Sequence, residues 1–543
     1  MKILLVPCLM ILAVTARLNG QTEEPRLIVL ISIDQLPYSF LTRFEPFFGE
    51  GGFRRLLRHG AVFTEARFDY ASTFTGPGHA TIGSGTYPHQ HGIVGNGWHD
   101  TATARNVYCV EDSSVQQIGG EGDGRSPRLL SVTTLSDELR TSSGFRSRVL
   151  SVAQKDRSAI LLGGKHANAA YWVSDSLFVS STYYMNRLPD WAAAFNASGV
   201  ATGFFGAWWE KTLPPTAFVS MDMDDAPYEG NVHGLGRTFP HRITGNDTTS
   251  VTANYFSALW HSPFLNEWMM AFIRTALDQE QLGSGAATDM LCIGLSANDA
   301  VGHTFGPESH EIVEMTVHTD RLLADFFSFL DERIGLDRCI IALTSDHGIP
   351  PIPESILAQN DGRKAGRADR TVIGGLCEGY LDRTYSHPDV SLPWLARVVD
   401  GNIYLNRRSL ERMGISPESA TQTLSDSLRG SDLIAAVMTR DGNWSREDWI
   451  TGKLRNSFNE ERSGDILYAL APYFIDYAGP GTDHGQPYDY DTHVPVILMG
   501  AGVVPGSYDS KASPADLAPT IATILGIPFP EGRDGRVLKE ALR

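Results

Sequence analysis

Seven side chains in this sequence have the types and settings that metal-assisted chemistry on an anion requires: Asp34, Thr75, Asp299, His303, Asp346, His347 and His484. Thr75 lies in ASTFTGPGHATIGSGTYPHQHGIVGN, residues 71–96, where an extended segment (AVFTEARFDY) gives way to a Thr-Gly-Pro-Gly turn and a helix-like run. Its hydroxyl is therefore expected at a helix N-terminus, where free backbone N–H groups suit an anion. Gly76 would let the backbone come close to a ligand there. A threonine in such a place, taken alone, reads only as an N-cap. Asp299 and His303 form D-x-x-x-H, one turn apart on a helix. Asp346-His347 is an adjacent pair in SDHG, and His484 begins HGQP. Carboxylates with neutral imidazoles suit Zn²⁺ or a similar borderline ion. Each pair by itself is commonplace on a solvated surface; their order along the chain is what makes them specific.

The elements that must position these residues are legible as apolar runs. RLIVLISID (26–34), MLCIGLSAND (290–299) and CIIALTSDHG (339–348) are continuous apolar strands ending in Asp34, Asp299 and Asp346-His347. Such runs suit parallel strands buried on both faces. VPVILMG (494–500) is a fourth. Helical stretches at 264–278 and 311–334, and SPADLAPTIATILGI near the C-terminus, alternate with them. This rhythm predicts an α/β fold: a doubly wound, mostly parallel sheet with helices on both faces and ligands outside the carboxyl ends of its strands. Two segments, about 165–260 and 350–480, break the rhythm and are expected as insertions capping the active face.

MKILLVPCLMILAVTARLNG opens the chain with a lysine, a short apolar run and small residues. This is the pattern of a secretory signal peptide over 1–20, leaving 21–543 as one catalytic domain that is exported, periplasmic or secreted. No other stretch is apolar enough for stable membrane insertion. A hydrophobic content of 42% supplies a core, and a net charge of −18 argues against nucleic-acid binding. An anionic substrate would then need local positive charge. Beyond the leader stand Cys109, Cys292, Cys339 and Cys377, too few for a disulfide scaffold and without CxxC spacing. Cys292 and Cys339 read as buried thiols, with the pairing of the four left open. Asn196, Asn246 and Asn443 head N-x-S/T sequons.

Taken together, the ordered motifs resemble the alkaline phosphatase superfamily, in the threonine-nucleophile branch of type I phosphodiesterases and nucleotide pyrophosphatases. The resemblance covers nearly the whole mature chain, including DLAPTIATILGIP. It implies two Zn²⁺ per chain: one held by Asp299, His303 and His484, the other by Asp34, Asp346 and His347, with the Thr75 oxygen toward it. His493 is the alternative to His484, whose H-G-x-P setting is favoured. The resemblance also implies Thr75 as nucleophile and a phosphothreonine intermediate. Two divalent ions about 4 Å apart can stabilise the entering and leaving oxygens of an in-line displacement, and coordination activates an otherwise poor hydroxyl.

Two further marks bear on substrate. Lys155-Asp156-Arg157 follows the strand SRVLSVAQ, and Asn96 lies in GIVGNGWHD. By themselves Lys155 and Arg157 read as solvated cations. In the monoesterase members of the branch, a K-x-R and an asparagine so placed contact the non-bridging phosphoryl oxygens. A monoester carries an extra anionic oxygen and gains most from such contacts. The resemblance therefore implies an alkaline phosphatase acting on small phosphate monoesters, closest to the phosphate-irrepressible bacterial type. A phosphodiesterase on the same scaffold is the alternative, and a non-catalytic metal-binding relative the third reading. The modifiable Cys or Ser of sulfatases and the serine-plus-magnesium arrangement of other alkaline phosphatases are absent. His79, His89 and His91 read as structural, and the DYD run around Tyr488 to Asp491 as loop rather than ligand.

Overall fold

The computed structural model describes residues 25–385, 392–442 and 448–543. The expected leader, 1–20, and the Asn443 sequon lie outside these residues.

A ten-stranded sheet organises the chain. In chain order its strands are β1 Leu27–Ile33, β2 Ala61–Phe63, β3 Gln117–Ile118, β4 Val149–Ala153, β5 Ala169–Ser174, β6 Leu177–Ser181, β7 Asp289–Leu295, β8 Cys339–Thr344, β9 Val496–Gly500 and β10 Gly506–Tyr508. They lie side by side as β10-β2-β9-β8-β1-β7-β4-β5-β6-β3. The middle of the sheet, β8-β1-β7-β4-β5, is parallel throughout. Every residue of β1, β7, β8 and β4 is buried, as continuous aliphatic runs require of strands covered on both faces. Fully burying one such side chain is worth about 1.5–3 kcal/mol. One face packs on the helices Phe264–Gln279 and His310–Arg333, the other on Leu517–Leu525, through Leu277, Phe327 and Ile521 among others.

The expected fold class is observed, with two differences in detail. β9, the fourth apolar run, joins the sheet antiparallel to β8 and β2. An apolar run marks burial and carries no information about strand direction. The stretch from about 165 was expected to be inserted throughout, yet β5 and β6 within it extend the central sheet. Their alternation is masked because both faces are covered there. Beyond them, 182–260 holds short helices, turns and a small antiparallel pairing of Trp208–Trp209 with His241–Arg242.

A four-stranded antiparallel sheet is formed by Leu395–Val399, Asn402–Leu405, Ile466–Leu470 and Ile434–Thr439, neighbours in that order. The helices Arg370–Tyr385 and Pro417–Arg429 pack on it around Ile373, Leu381, Trp394, Ile403, Leu424 and Ile466. The capping segment thus carries its own apolar core. All four described cysteines are separate buried thiols.

Candidate active site

Three of the parallel strands lead, within one to four residues of their carboxyl ends, into the acids the sequence singled out. β1 is followed by Asp34, and β8 by Ser345, Asp346 and His347; β7 leads through Ser296 into the helix Ala297–Phe305. That helix carries Asp299 and His303 four residues apart, on one face. The next strand, β4, leads through Gln154 to Lys155, which caps the helix Asp156–Gly163 that holds Arg157. Four adjacent parallel strands therefore deliver their following residues to one place, outside their carboxyl ends.

Thr75 reaches it from the Thr75–Ser84 helix and is 1% exposed. The residue that caps this helix is Phe74, so Thr75 is its first residue and not the N-cap. The space beside Gly76 is filled by protein: a Cβ there would lie 3.1 Å from Gly95 O and 3.3 Å from Asn96 Oδ1. The close packing at Gly76 is thus against Gly95, Cys109 and Asn96. Gly78 serves the site directly, because a Cβ at 78 would come within 2.4 Å of Asp346 O.

The acids and imidazoles meet. His303 Nε2 is 3.1 Å from Asp299 Oδ1, and His484 Nε2 is 3.8 Å from the same oxygen. His347 Nε2 is 3.4 Å from both Asp34 Oδ1 and Asp346 Oδ2. The rings of His347 and His484 stack with centroids 3.5 Å apart. Asp34, Asp346 and His347 form one potential metal-holding group. Asp299 groups with His347 and His484, and His303 with Asp483 and His484, so the two sets adjoin. His493 is elsewhere, with Nε2 on Thr64 O and its ring stacked on Tyr38.

The donor set fits divalent cations. Each of the three histidines turns Nδ1 to a main-chain carbonyl: His303 to Thr482 O at 2.9 Å, His484 to Thr73 O at 2.7 Å, His347 to Gly348 O at 3.0 Å. Donation from Nδ1 fixes the tautomer and presents the Nε2 lone pair inward, as an imidazole ligand requires. His347 Nε2 is buried and has no hydrogen-bond partner, an arrangement that costs stability unless a Lewis acid meets it. Burial, with the like charges of Asp299 and Asp346, lifts the Asp34 carboxyl to about 6. Burial and the neighbouring His347 and His303 hold His484 well below the usual imidazole range. Burial also works to raise Asp299, but the charges of His303 and Lys155 outweigh it and keep that carboxyl ionised. Crowded carboxylates and a neutral imidazole are what two cations would stabilise.

Lys155 Nζ lies 2.6 Å from both Asp34 Oδ2 and Asp299 Oδ2, and 3.4 Å from Thr75 Oγ1. Arg157 Nη2 is also 3.4 Å from Thr75 Oγ1, while Nη1 donates to Tyr108 Oη at 3.3 Å. Asn96 Oδ1 accepts from Gly76 N at 2.8 Å. A backbone N–H can be met only by the acceptor end of an amide, which leaves the Nδ2 donors of Asn96 uncommitted at that contact. All ten predicted site residues are thus drawn to one cluster.

Several supporting residues escaped the sequence reading. Gln35, in the left-handed region at φ 62°, donates from N to Asp346 Oδ1 at 3.1 Å and from Nε2 to Asp299 Oδ1 at 2.8 Å. Its place directly after the first strand acid was the available signal. Asp483 precedes His484 and accepts from its N–H at 2.8 Å. His79, read as structural, also stands 3.3 Å from Asp346 Oδ2, whereas His91 meets Thr81 and His89 faces Asp534. The DYD run is a helical turn, Asp489–Thr492, and not loop. Asp491 Oδ2 accepts from Gly485 N at 2.9 Å and Gln486 N at 2.7 Å, and its main-chain oxygen accepts from Gly348 N at 2.7 Å. It ties the His484 loop to the segment after His347. Asp491→Ala should weaken metal retention by about 10–100-fold, measured by chelator competition; unchanged affinity would leave Asp491 a purely structural residue.

Residues 28–469 match the type I phosphodiesterase / nucleotide pyrophosphatase family. The chain is 34% identical to alkaline phosphatase PhoV of Synechococcus elongatus, over 96% of this chain and 93% of that one. It is 33% identical to a Myroides odoratus protein named calcium-transporting ATPase, over 96% of each. With alkaline phosphatase PafA of Elizabethkingia meningoseptica it shares 30% identity over 98% of both chains. The crystal structure of PafA superposes with a TM-score of 0.89, covering 96% of this chain and 99% of that one. The chain belongs to the type I phosphodiesterase / nucleotide pyrophosphatase family.

Proposed function

We propose that this chain is an exported, metal-dependent alkaline phosphatase that hydrolyses small phosphate monoesters through a phosphothreonine at Thr75. The observation that carries the reading is the pairing of two cations on one hydroxyl: Lys155 Nζ and Arg157 Nη2, each 3.4 Å from Thr75 Oγ1. The names of PhoV and PafA support it. Among the described residues no helix is long and apolar enough to cross a membrane.

Asp299, His303 and His484 would hold one Zn²⁺, and Asp34, Asp346 and His347 the other. When bound, two such ions supply Lewis-acid stabilisation of the charge on the attacking and leaving oxygens. Thr75 Oγ1 attacks phosphorus in line with the ester oxygen, forming the phosphothreonine and releasing the alcohol. Water then attacks from the vacated side and returns Thr75 with inorganic phosphate. The Asn96 amide and the Arg157 guanidinium donate to the non-bridging oxygens, holding the phosphoryl group for this displacement. Lys155, whose ammonium here compensates Asp34 and Asp299, turns to the same oxygens once those carboxylates are neutralised otherwise. No general-base histidine is needed.

Removal of metal by a chelator should abolish turnover, and Zn²⁺ should restore it with two equivalents bound per chain. Elemental analysis alongside a phosphate-release assay checks this. Full activity in metal-free protein would overturn the two-metal mechanism.

A further inference from the structure

Asn96 is held at three points, and one of them comes from the capping sheet. Its side-chain oxygen takes the Gly76 N–H, its main-chain oxygen accepts from Cys109 N at 3.1 Å, and its own N–H donates to Asp400 Oδ2 at 2.8 Å. Asp400 stands at the tip of the hairpin between Leu395–Val399 and Asn402–Leu405, 304 residues away in sequence. Asp400 and Gly401 both adopt left-handed backbone, at φ 48° and 75°. That is the two-residue Asp-Gly turn that matches the twist of a tight hairpin. The turn is pinned from both sides: Asn402 Nδ2 donates to Asp400 O at 2.9 Å, and Tyr468 N to Gly401 O at 3.0 Å. The approach is close enough that a Cβ on Gly95 would lie 2.5 Å from Asp400 Oδ2.

We propose that Asp400 is a positioning residue for the phosphoryl-binding Asn96, through which the capping sheet sets the geometry of the catalytic face. The role rests on the phosphatase reading above. A carboxylate accepting a main-chain N–H is a charge-assisted bond, stronger and shorter than a neutral one. It fixes the Asn96 main chain, while Gly76 N fixes which end of the amide points outward. Without Asp400, the Asn96 backbone gains freedom, and the amide donors lose alignment with the non-bridging oxygens. Asp400 itself does not contact the reacting atoms.

A double-mutant cycle tests this: Asp400→Ala and Asp400→Asn, each in the unaltered chain and with Asn96→Gly. Turnover of an aryl phosphate, inhibition by inorganic phosphate, metal content and thermal melting are measured on every variant. Asp400→Ala should lower kcat/KM about tenfold and weaken inhibition by inorganic phosphate, with metal content unchanged. With Asn96→Gly in place, the same substitution should cost less than about twofold, because the group it positions is gone. Asp400→Asn keeps an acceptor oxygen without the charge and should fall between. It also reads the coupling if the alanine variant melts without cooperativity. A loss that persists undiminished beside Asn96→Gly, or no loss at all, would overturn the proposal. Absence of monoester turnover in the unaltered, metal-replete protein would instead overturn the functional reading beneath it.

Discussion

Thr75→Ala should lose nearly all turnover, on the order of 10⁴-fold or more, as removal of a covalent nucleophile does elsewhere. The fold should survive. Thr75 is the first residue of its helix, alanine is a better helix former than threonine, and the lost atoms are one hydroxyl and one methyl. The metals should persist as well, since Asp34, Asp346 and His347 form a group without it. A quench during turnover of labelled substrate should trap phosphoprotein in the unaltered chain and none in Thr75→Ala. If the alanine variant retained substantial activity with full metal content, water would be attacking phosphorus directly. The phosphothreonine mechanism would then be wrong.

The second large effect falls on Lys155 and Arg157, because they distinguish the two substrate classes this family could serve. A monoester leaves a charged oxygen free where a diester carries its second ester group. If both cations grip that oxygen, Lys155→Ala/Arg157→Ala must hurt monoesters far more than diesters. A hydrogen bond to a charged group is worth about 1.5–3 kcal/mol, so losing two costs on the order of 10²–10⁴ in rate. Matched aryl mono- and diesters, assayed on one preparation with its metal content checked, give the comparison. An equal fall on both would point to general electrostatics, since Lys155 also lies 2.6 Å from Asp34 and Asp299. No fall on either would place the two residues outside the phosphoryl site and favour the diesterase. Arg157 should be the cleaner single substitution: its guanidinium is braced by Tyr108, and Asp156 in turn accepts from Tyr108 Oη and, at 2.9 Å, from Arg125 Nε.

Much of this protein was written locally. Each of β1, β7 and β8 is a run of aliphatic residues ending in acid, and a strand buried on both faces has to be such a run. The D-x-x-x-H spacing needs only one helical turn to put both ligands on one face. Those features depend on neighbours in sequence, so the sequence by itself determined the parallel core and the identity of the residues that meet at its carboxyl ends. Residues whose role is to hold another residue in place left no such mark. Asp400 reads as half of an Asp-Gly turn, Asp491 as part of an acidic run, and Gln35 as a polar residue after a strand. Each becomes informative only when a partner more than a hundred positions away is brought within 3.1 Å of it. The direction of β9, the two strands inside the expected insertion and the core of the capping sheet were likewise settled by tertiary structure. The physical reason is the same in each case: burial selects residue type, and type alone records neither which way a strand runs nor what lies against it.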